Sequence, residues 1–131
     1  MSTDEFQTVW APRALSILRI VAALIFFEHG THKLLGFPPM DDPPAALSLS
    51  WTAGAFELVG GAFLVLGLFT RPVAFVLSGM LAVAYFYAHA PQGFFPILNG
   101  GELAVLYCFV FLYIASRGAG VWSVDRARGE A

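Results

Sequence analysis

The sequence is poor in charge and in cysteine, and both shortages restrict what the chain can be. Only 12% of the 131 residues are charged, against about a quarter in soluble domains. The single cysteine, Cys108, excludes an internal disulfide, a CxxC redox pair and a cysteine-based zinc site. Seven scattered basic residues and a net charge of −2 offer no footprint for nucleic acid. With 58% hydrophobic residues, the chain is predicted to be a small membrane protein.

Four long apolar runs, separated by proline and glycine, cover residues 12–35, 51–69, 72–90 and 100–116. Each approaches the roughly 20 residues that a helix needs to cross the hydrocarbon core. None is a short segment of alternating polarity, as a barrel strand would be. The first run follows Asp4 and Glu5 instead of a basic cluster and contains Arg19, which favours a retained span over a cleaved signal peptide. Residues 1–131 therefore predict one all-α domain, an integral membrane four-helix bundle.

The basic residues lie unevenly on the two sides of these spans. One side has a single basic residue, Lys33, and the other has five: Arg13, Arg71, Arg117, Arg126 and Arg128. Basic residues accumulate in cytoplasmic loops, so both termini are predicted to be cytoplasmic. We expect a multi-pass protein of a bacterial-type inner (cell) membrane.

Polar residues concentrate near the predicted outer ends of the spans. At a rise of about 1.5 Å per residue they fall within one slab roughly 10 Å thick. Ionisable groups inside spans are rare and must face the bundle, a partner or water, so we expect a buried network. The candidate proton-exchanging carboxylates are Glu28, Glu57 and Glu102, and the candidate ligand-binding residues are His29, His32, Lys33, Tyr85, His89 and Asn99.

A structural role is the alternative for these residues. Glu57 and Glu102 could tie helices together through Lys33 or backbone groups, and the histidines could be wetted side chains at headgroup level. Arg19 is predicted to snorkel inward or neutralise a neighbour; nine residues from Glu28, it points to the opposite face. The spacing matches no standard hydrolase or di-iron pattern, so no metal is predicted. A haem would need two imidazoles facing each other across the bundle.

Several segments together carry a resemblance to a known family. In chain order they are Leu18-Arg19-Ile20, the segment from Phe27 to Gly36 (FEHGTHKLLG), Phe56 to Gly61 (FELVGG), Leu66 to Arg71 (LGLFTR), Asn99 to Leu103 (NGGEL), and the tail from Tyr113 to Asp125. The chain resembles the DoxX family over about residues 14–125. The resemblance implies a four-span bundle similar to the membrane subunit of thiosulfate:quinone oxidoreductase. Family members are linked to membrane redox complexes, sulfur metabolism and oxidative stress, and the resemblance carries no settled catalytic residues.

Three functions follow as hypotheses. The first is a subunit of a membrane redox assembly, with quinone as its cofactor or substrate and electrons supplied by redox partner proteins. A histidine would hold the head group, Glu28 or Glu57 would exchange protons, and Tyr85 or Phe86 would stack on the ring. The second is a non-catalytic scaffold that docks partner proteins, and the third is a small-solute transporter, which the apolar inner half disfavours. The expected partners are the lipid bilayer and, as open alternatives, redox proteins or a second copy of the chain.

Overall fold

A computed structural model describes residues 1–130, and these residues contain helices and connecting loops but no strand. The helices, in chain order, are α1 (Thr3–Leu35), α2 (Leu49–Leu66), α3 (Thr70–Gln92), α4 (Pro96–Asn99), α5 (Glu102–Arg117) and α6 (Val124–Ala127). One π-helical turn interrupts α1 at Phe6–Trp10, and another interrupts α3 at Tyr85–His89. The prediction of an all-α membrane protein is confirmed.

Three helices, α1, α2 and α3, are long and apolar enough to cross a membrane. They match the first three predicted spans to within a few residues, apart from an N-terminal extension of α1, because the helix ends follow local chemistry. Ser48 caps the start of α2 through its hydroxyl, and Gly67 ends it in the left-handed conformation at φ 68°. The fourth predicted run forms α5, which has 16 residues and is shorter than the other three.

The described chain divides into two compact units: Met1–Thr70 with the tail from Ala119 onward, and Arg71–Gly118. In the first unit, α1 and α2 form a closely packed hairpin. A Cβ added to Gly30 would lie 2.8 Å from the Leu58 Cα, and one added to Gly61 would lie 3.0 Å from the Phe27 Cα. Small residues let helix backbones approach in membranes, so these glycines set the hairpin spacing.

In the second unit, α3 and α5 are joined by hydrogen bonds to backbone carbonyls. The Ser78 hydroxyl donates to the Cys108 carbonyl at 2.7 Å. The Arg71 guanidinium donates to the carbonyls of Ala115, Ser116 and Arg117, with the shortest bond, to Ser116, at 2.6 Å. These are among the last carbonyls of α5, which have no partner within their own helix. Arg71 therefore caps α5.

Candidate functional site

An ion pair between Lys33 and Glu57 joins α1 to α2. Lys33 Nζ lies 2.9 Å from Glu57 Oε1, with 22% of the lysine and 10% of the glutamate side chain exposed. Gly54, one turn before Glu57, makes room for the lysine, because a Cβ there would lie 3.1 Å from the Lys33 Cβ. The pair joins two residues that the sequence placed in the candidate site.

Only one oxygen of the Glu57 carboxylate is used by this pair. Glu57 Oε2 is buried and has no hydrogen-bond partner among the described residues. His29, one turn before Lys33, interacts electrostatically with Glu57. A buried acceptor without a donor costs about 1–3 kcal/mol, so Oε2 is suited to accept a hydrogen bond from a bound molecule or to take up a proton.

The other two candidate carboxylates do not join this pair. Glu28 and Glu102 are both exposed, and neither side chain has a partner within residues 1–130. The prediction of one buried network containing all three carboxylates is wrong for these two. Glu28 lies on the exposed face of α1, and Glu102 lies in the first turn of α5, where a carboxylate suits the helix dipole without burial.

His32 contacts the loop that directly follows its own helix. Its Nδ1 lies 2.6 Å from the Pro38 carbonyl oxygen, in the segment that follows α1. A carbonyl can only accept, so Nδ1 carries the proton and donates it, which leaves Nε2 available. His32 thus holds the chain that leaves α1 while keeping one ring nitrogen free for a further partner.

In the second unit, the candidate residues Tyr85 and His89 both contact Asn99, which is the third candidate there. The Asn99 amide nitrogen donates to the Tyr85 hydroxyl at 3.1 Å and to the Gly93 carbonyl at 2.9 Å, and its side-chain oxygen accepts from the Gly101 N–H at 2.8 Å. His89 Nδ1 lies 3.2 Å from the Asn99 carbonyl oxygen. All three are residues that the sequence placed in the candidate ligand-binding group. Asn99 is 3% exposed, and its side-chain amide is hydrogen-bonded within the protein.

Two glycines allow this arrangement. Gly100 has φ of 74°, which favours glycine because it has no Cβ. A Cβ on Gly101 would lie 2.7 Å from the Tyr85 ring. The Asn-Gly-Gly segment therefore turns the chain tightly into α5 and places the Asn99 side chain beside Tyr85.

Sequence reasoning missed the role of Arg19. Its side chain is fully buried and neither snorkels nor neutralises an acidic neighbour directly. Nε donates to the Leu64 carbonyl at 2.9 Å and one terminal nitrogen donates to the Trp122 carbonyl at 2.6 Å; the other terminal nitrogen donates to the Ala119 carbonyl. A planar guanidinium can serve several acceptors at once, and here it fastens the C-terminal tail to α1 and α2.

Asp125 provides a second attachment of the tail. Its two carboxylate oxygens accept from the backbone N–H groups of Phe69 and Thr70, both at 2.9 Å. Burial of Asp125 opposes ionisation, but these hydrogen bonds and the charge of Arg128 outweigh it, so the Asp125 pKa lies below its usual value. Two features of the sequence point to this contact. The tail contains an acidic residue, Asp125, and the helix that begins at Thr70 follows Phe69, whose side chain cannot cap it.

No group of three or more histidine, cysteine or acidic side chains comes close enough to hold a metal ion within the described part of the chain. Among the described residues, the groups available to a bound molecule near the Lys33–Glu57 pair are Glu57 Oε2, two N–H groups of Lys33 and the Nε2 of His32.

Comparisons with known proteins place the chain in a family. The DoxX family model matches residues 14–90, more than half of the chain. An uncharacterized protein of Haemophilus influenzae is 48% identical over 122 residues, which cover 88% of this chain and 91% of that relative. A second uncharacterized protein of the same organism is 31% identical over 95% of this chain and 89% of its own length.

A more distant relative is named as a membrane protein. It is an uncharacterized membrane protein of Mycobacterium tuberculosis, 27% identical over 88% of this chain and 81% of its own length. No solved structure matches the chain. The family match, the two Haemophilus relatives and the apolar helices agree with the resemblance seen in the sequence. The chain is a membrane protein that belongs to the DoxX family.

Proposed function

We propose that this protein is a multi-pass inner-membrane subunit of a redox assembly, and that it binds a quinone head group at the Lys33–Glu57 pair. The observation that carries the proposal is a buried carboxylate with one oxygen held by an ammonium group and the other without a donor. Ionisable side chains inside membrane spans are costly and mark functional sites more often than other span residues do.

The pair has the donors and acceptors that a quinone requires. Lys33 has three N–H donors and uses one on Glu57, so another can donate to a quinone carbonyl. Glu57 Oε2 can accept from the hydroxyl of the reduced quinol. Reduction of a quinone to a quinol takes up two electrons and two protons. Glu57, after taking up a proton from water, would deliver one of them, and the quinone oxygen remote from the pair would take the other from water. With a single cysteine, the chain has no dithiol to supply the electrons, and we assign their supply to a redox partner protein.

Tyr85, His89 and Asn99, in the second unit, are a separate group of candidate ligand residues, in which Asn99 positions Tyr85. The Tyr85 and His89 rings are 6.3 Å apart between centroids, and Tyr85 packs edge-on against Phe86 at 5.4 Å. This aromatic group could stack on a planar ring. Phe86 is 70% exposed, so a ring stacked on it would be open to the lipid.

A structural role of the Lys33–Glu57 pair is the second candidate. It is favoured by the close packing at Gly30, where a Cβ would lie 2.9 Å from the Gly54 carbonyl oxygen. Such packing is typical of helix association in membranes, which polar pairs strengthen. On this view the protein would be a scaffold that docks partner proteins. Small-solute transport is the remaining hypothesis.

Binding of a short-chain quinone to the purified protein in lipid nanodiscs tests the proposal. Isothermal titration would compare the parent protein with Glu57→Gln and Lys33→Met, and empty nanodiscs would correct for partition into lipid. Loss of one hydrogen bond to a charged group costs about 1.5–3 kcal/mol, so either variant should bind roughly ten- to a hundredfold more weakly. Asp42→Asn makes the same carboxylate-to-amide change at an exposed loop residue and should bind as the parent does.

The outcomes separate the two candidates. Weak binding by Glu57→Gln and Lys33→Met, with thermal stability close to that of the parent for Glu57→Gln, supports the quinone site. Equal binding by all four proteins contradicts it. Loss of stability without any change in binding would show that the pair is structural.

A further inference from the structure

The face of α1 that carries Glu28 has an exposed stripe, mostly apolar, which we call the α1 stripe. Its positions follow each other at alternating intervals of four and three residues, and this pattern continues to the end of the helix. The members, all exposed except the half-buried His32, are Ala14, Leu18, Val21, Ile25, Glu28, His32 and Leu35. Leu18, Val21 and Ile25 are 40%, 51% and 46% exposed, so α2 does not cover this α1 stripe. Spacing of four and three is the pattern by which two parallel helices pack along one seam.

Glu28 makes this face unlike an ordinary lipid-facing surface. Its side chain is exposed and unpaired within the described chain, one turn from the apolar Ile25 and Leu24. Seven residues separate it from the end of α1 at Leu35, about 10 Å along the helix axis. A carboxylate at that depth needs a hydrogen-bonding partner, because lipid tails provide none.

The required partner lies on the same stripe. His32 follows Glu28 by one turn and has a free Nε2, since its Nδ1 is held by Pro38. In a two-fold dimer the same surface of each copy meets its equivalent, and parallel helices keep each residue at its own depth. Glu28 of one copy then lies within one turn of His32 of the other. Because Nδ1 keeps its proton for the Pro38 carbonyl, the contact needs one more proton: Nε2 accepts from a protonated Glu28 carboxyl group or, in the imidazolium form, donates to the Glu28 carboxylate.

We propose that two copies of this chain associate through the α1 stripe, with Glu28 of each copy hydrogen-bonded to the His32 ring of its partner. The apolar members of the stripe supply the packing, and the two polar layers fix the register, as single polar residues do in the seams of coiled coils. The interface uses neither Lys33 nor Glu57, so it does not depend on the proposed ligand.

Disulfide crosslinking in membranes tests the seam directly. In a full-length Cys108→Ser background, single cysteines would replace Val21, Ile25 or Val59. Val59 is the matched control, because it is a valine on α2 with 57% exposure, against 51% for Val21. Val21→Cys and Ile25→Cys should form a covalent product of twice the chain mass under mild oxidation, at a clearly higher yield than Val59→Cys, because a defined interface holds the two cysteines together and random collision does not.

Three results would overturn the proposal at this stage. Equal yields at all three positions would mean random collision, and no product would mean that lipid covers the stripe. A crosslinked product of another mass would identify a different partner protein.

A second measurement examines the polar layers. Dimer dissociation in liposomes, followed by energy transfer between labelled copies, would compare the parent protein with Glu28→Leu and Asp42→Asn. Glu28→Leu removes both interhelical hydrogen bonds of the two-fold dimer, so its dissociation constant should be about ten- to a thousandfold higher, and that of Asp42→Asn should not change. An unchanged or lower constant for Glu28→Leu would show that Glu28 has no partner across the interface.

Discussion

Replacing Arg19 should release the C-terminal tail and destabilise the first unit. Arg19→Met keeps much of the side-chain length but removes every donor. The carbonyls of Leu64, Ala119 and Trp122 then lose their hydrogen bonds, and Leu64 and Ala119 are at most 1% exposed. A buried polar group left without its partner costs about 1–3 kcal/mol.

The net effect is smaller than the sum of three such losses. Burying the guanidinium costs desolvation free energy, which the variant recovers. The two carbonyls of the fully buried residues Leu64 and Ala119 set the scale at about 1–3 kcal/mol each, so we expect Arg19→Met to lower the free energy of unfolding by about 2–4 kcal/mol. Arg19→Lys keeps the charge, but a single nitrogen cannot serve three divergent carbonyls, so it should also be destabilised.

Unfolding in mixed detergent micelles, followed by tryptophan fluorescence, would measure this loss. Trypsin cleavage at Arg126 and Arg128 would report release of the tail. Arg13→Met is the matched control, because Arg13 packs over the Trp10 ring at 5.1 Å and should contribute only about 0.5–1 kcal/mol. If Arg19→Met unfolds and is cleaved like Arg13→Met, the buried guanidinium does not hold the tail.

Three further predictions concern packing, pH and topology. Gly30→Ala should lower the free energy of unfolding by about 1–3 kcal/mol, because the added Cβ would lie 2.5–2.8 Å from backbone atoms of Leu58. Gly79→Ala is the control, since no atom lies within 4 Å of the added Cβ. In the same unfolding assay it should stay within about 1 kcal/mol of the parent. Because the Asp125 pKa is lowered by folding, its stabilisation is complete above the usual carboxylate pKa and is lost as pH falls through the lowered value. Melting from neutral to acid pH should therefore show less acid destabilisation for Asp125→Asn than for the parent, and parallel curves would refute this. Reporter fusions at Ala131 and in the Met40–Ala46 loop should lie on opposite sides of the membrane, and an external Ala131 would reverse the predicted orientation.

The helices were predictable because apolar runs and proline or glycine breaks act locally. The first three runs became α1, α2 and α3, and the fourth became α5, since each boundary depends on nearby residues such as Ser48 and Gly67. The Lys33–Glu57 pair was also predictable, because both residues are charged, lie in otherwise apolar segments and need a partner there.

The tail attachments were not predictable in this way. Arg19 meets Ala119 and Trp122 across about a hundred residues of sequence, and Asp125 meets Phe69 and Thr70 across more than fifty. No periodicity encodes such contacts. Exposure of Glu28 depends on which face of α1 packs against α2. The close packing at the glycines of α1 and α2 determines that face, and it is a tertiary contact that the local sequence does not show.

The central claim is that Glu57 changes its protonation when a quinone is reduced at the Lys33–Glu57 pair. Infrared difference spectroscopy of the quinone-loaded protein in nanodiscs, with reduction driven electrochemically, measures this directly. We expect a carboxyl C=O band that shifts in D₂O, is absent from Glu57→Gln and remains in Asp42→Asn. A band that persists unchanged in Glu57→Gln, or a parent spectrum without any carboxyl band, would contradict the claim.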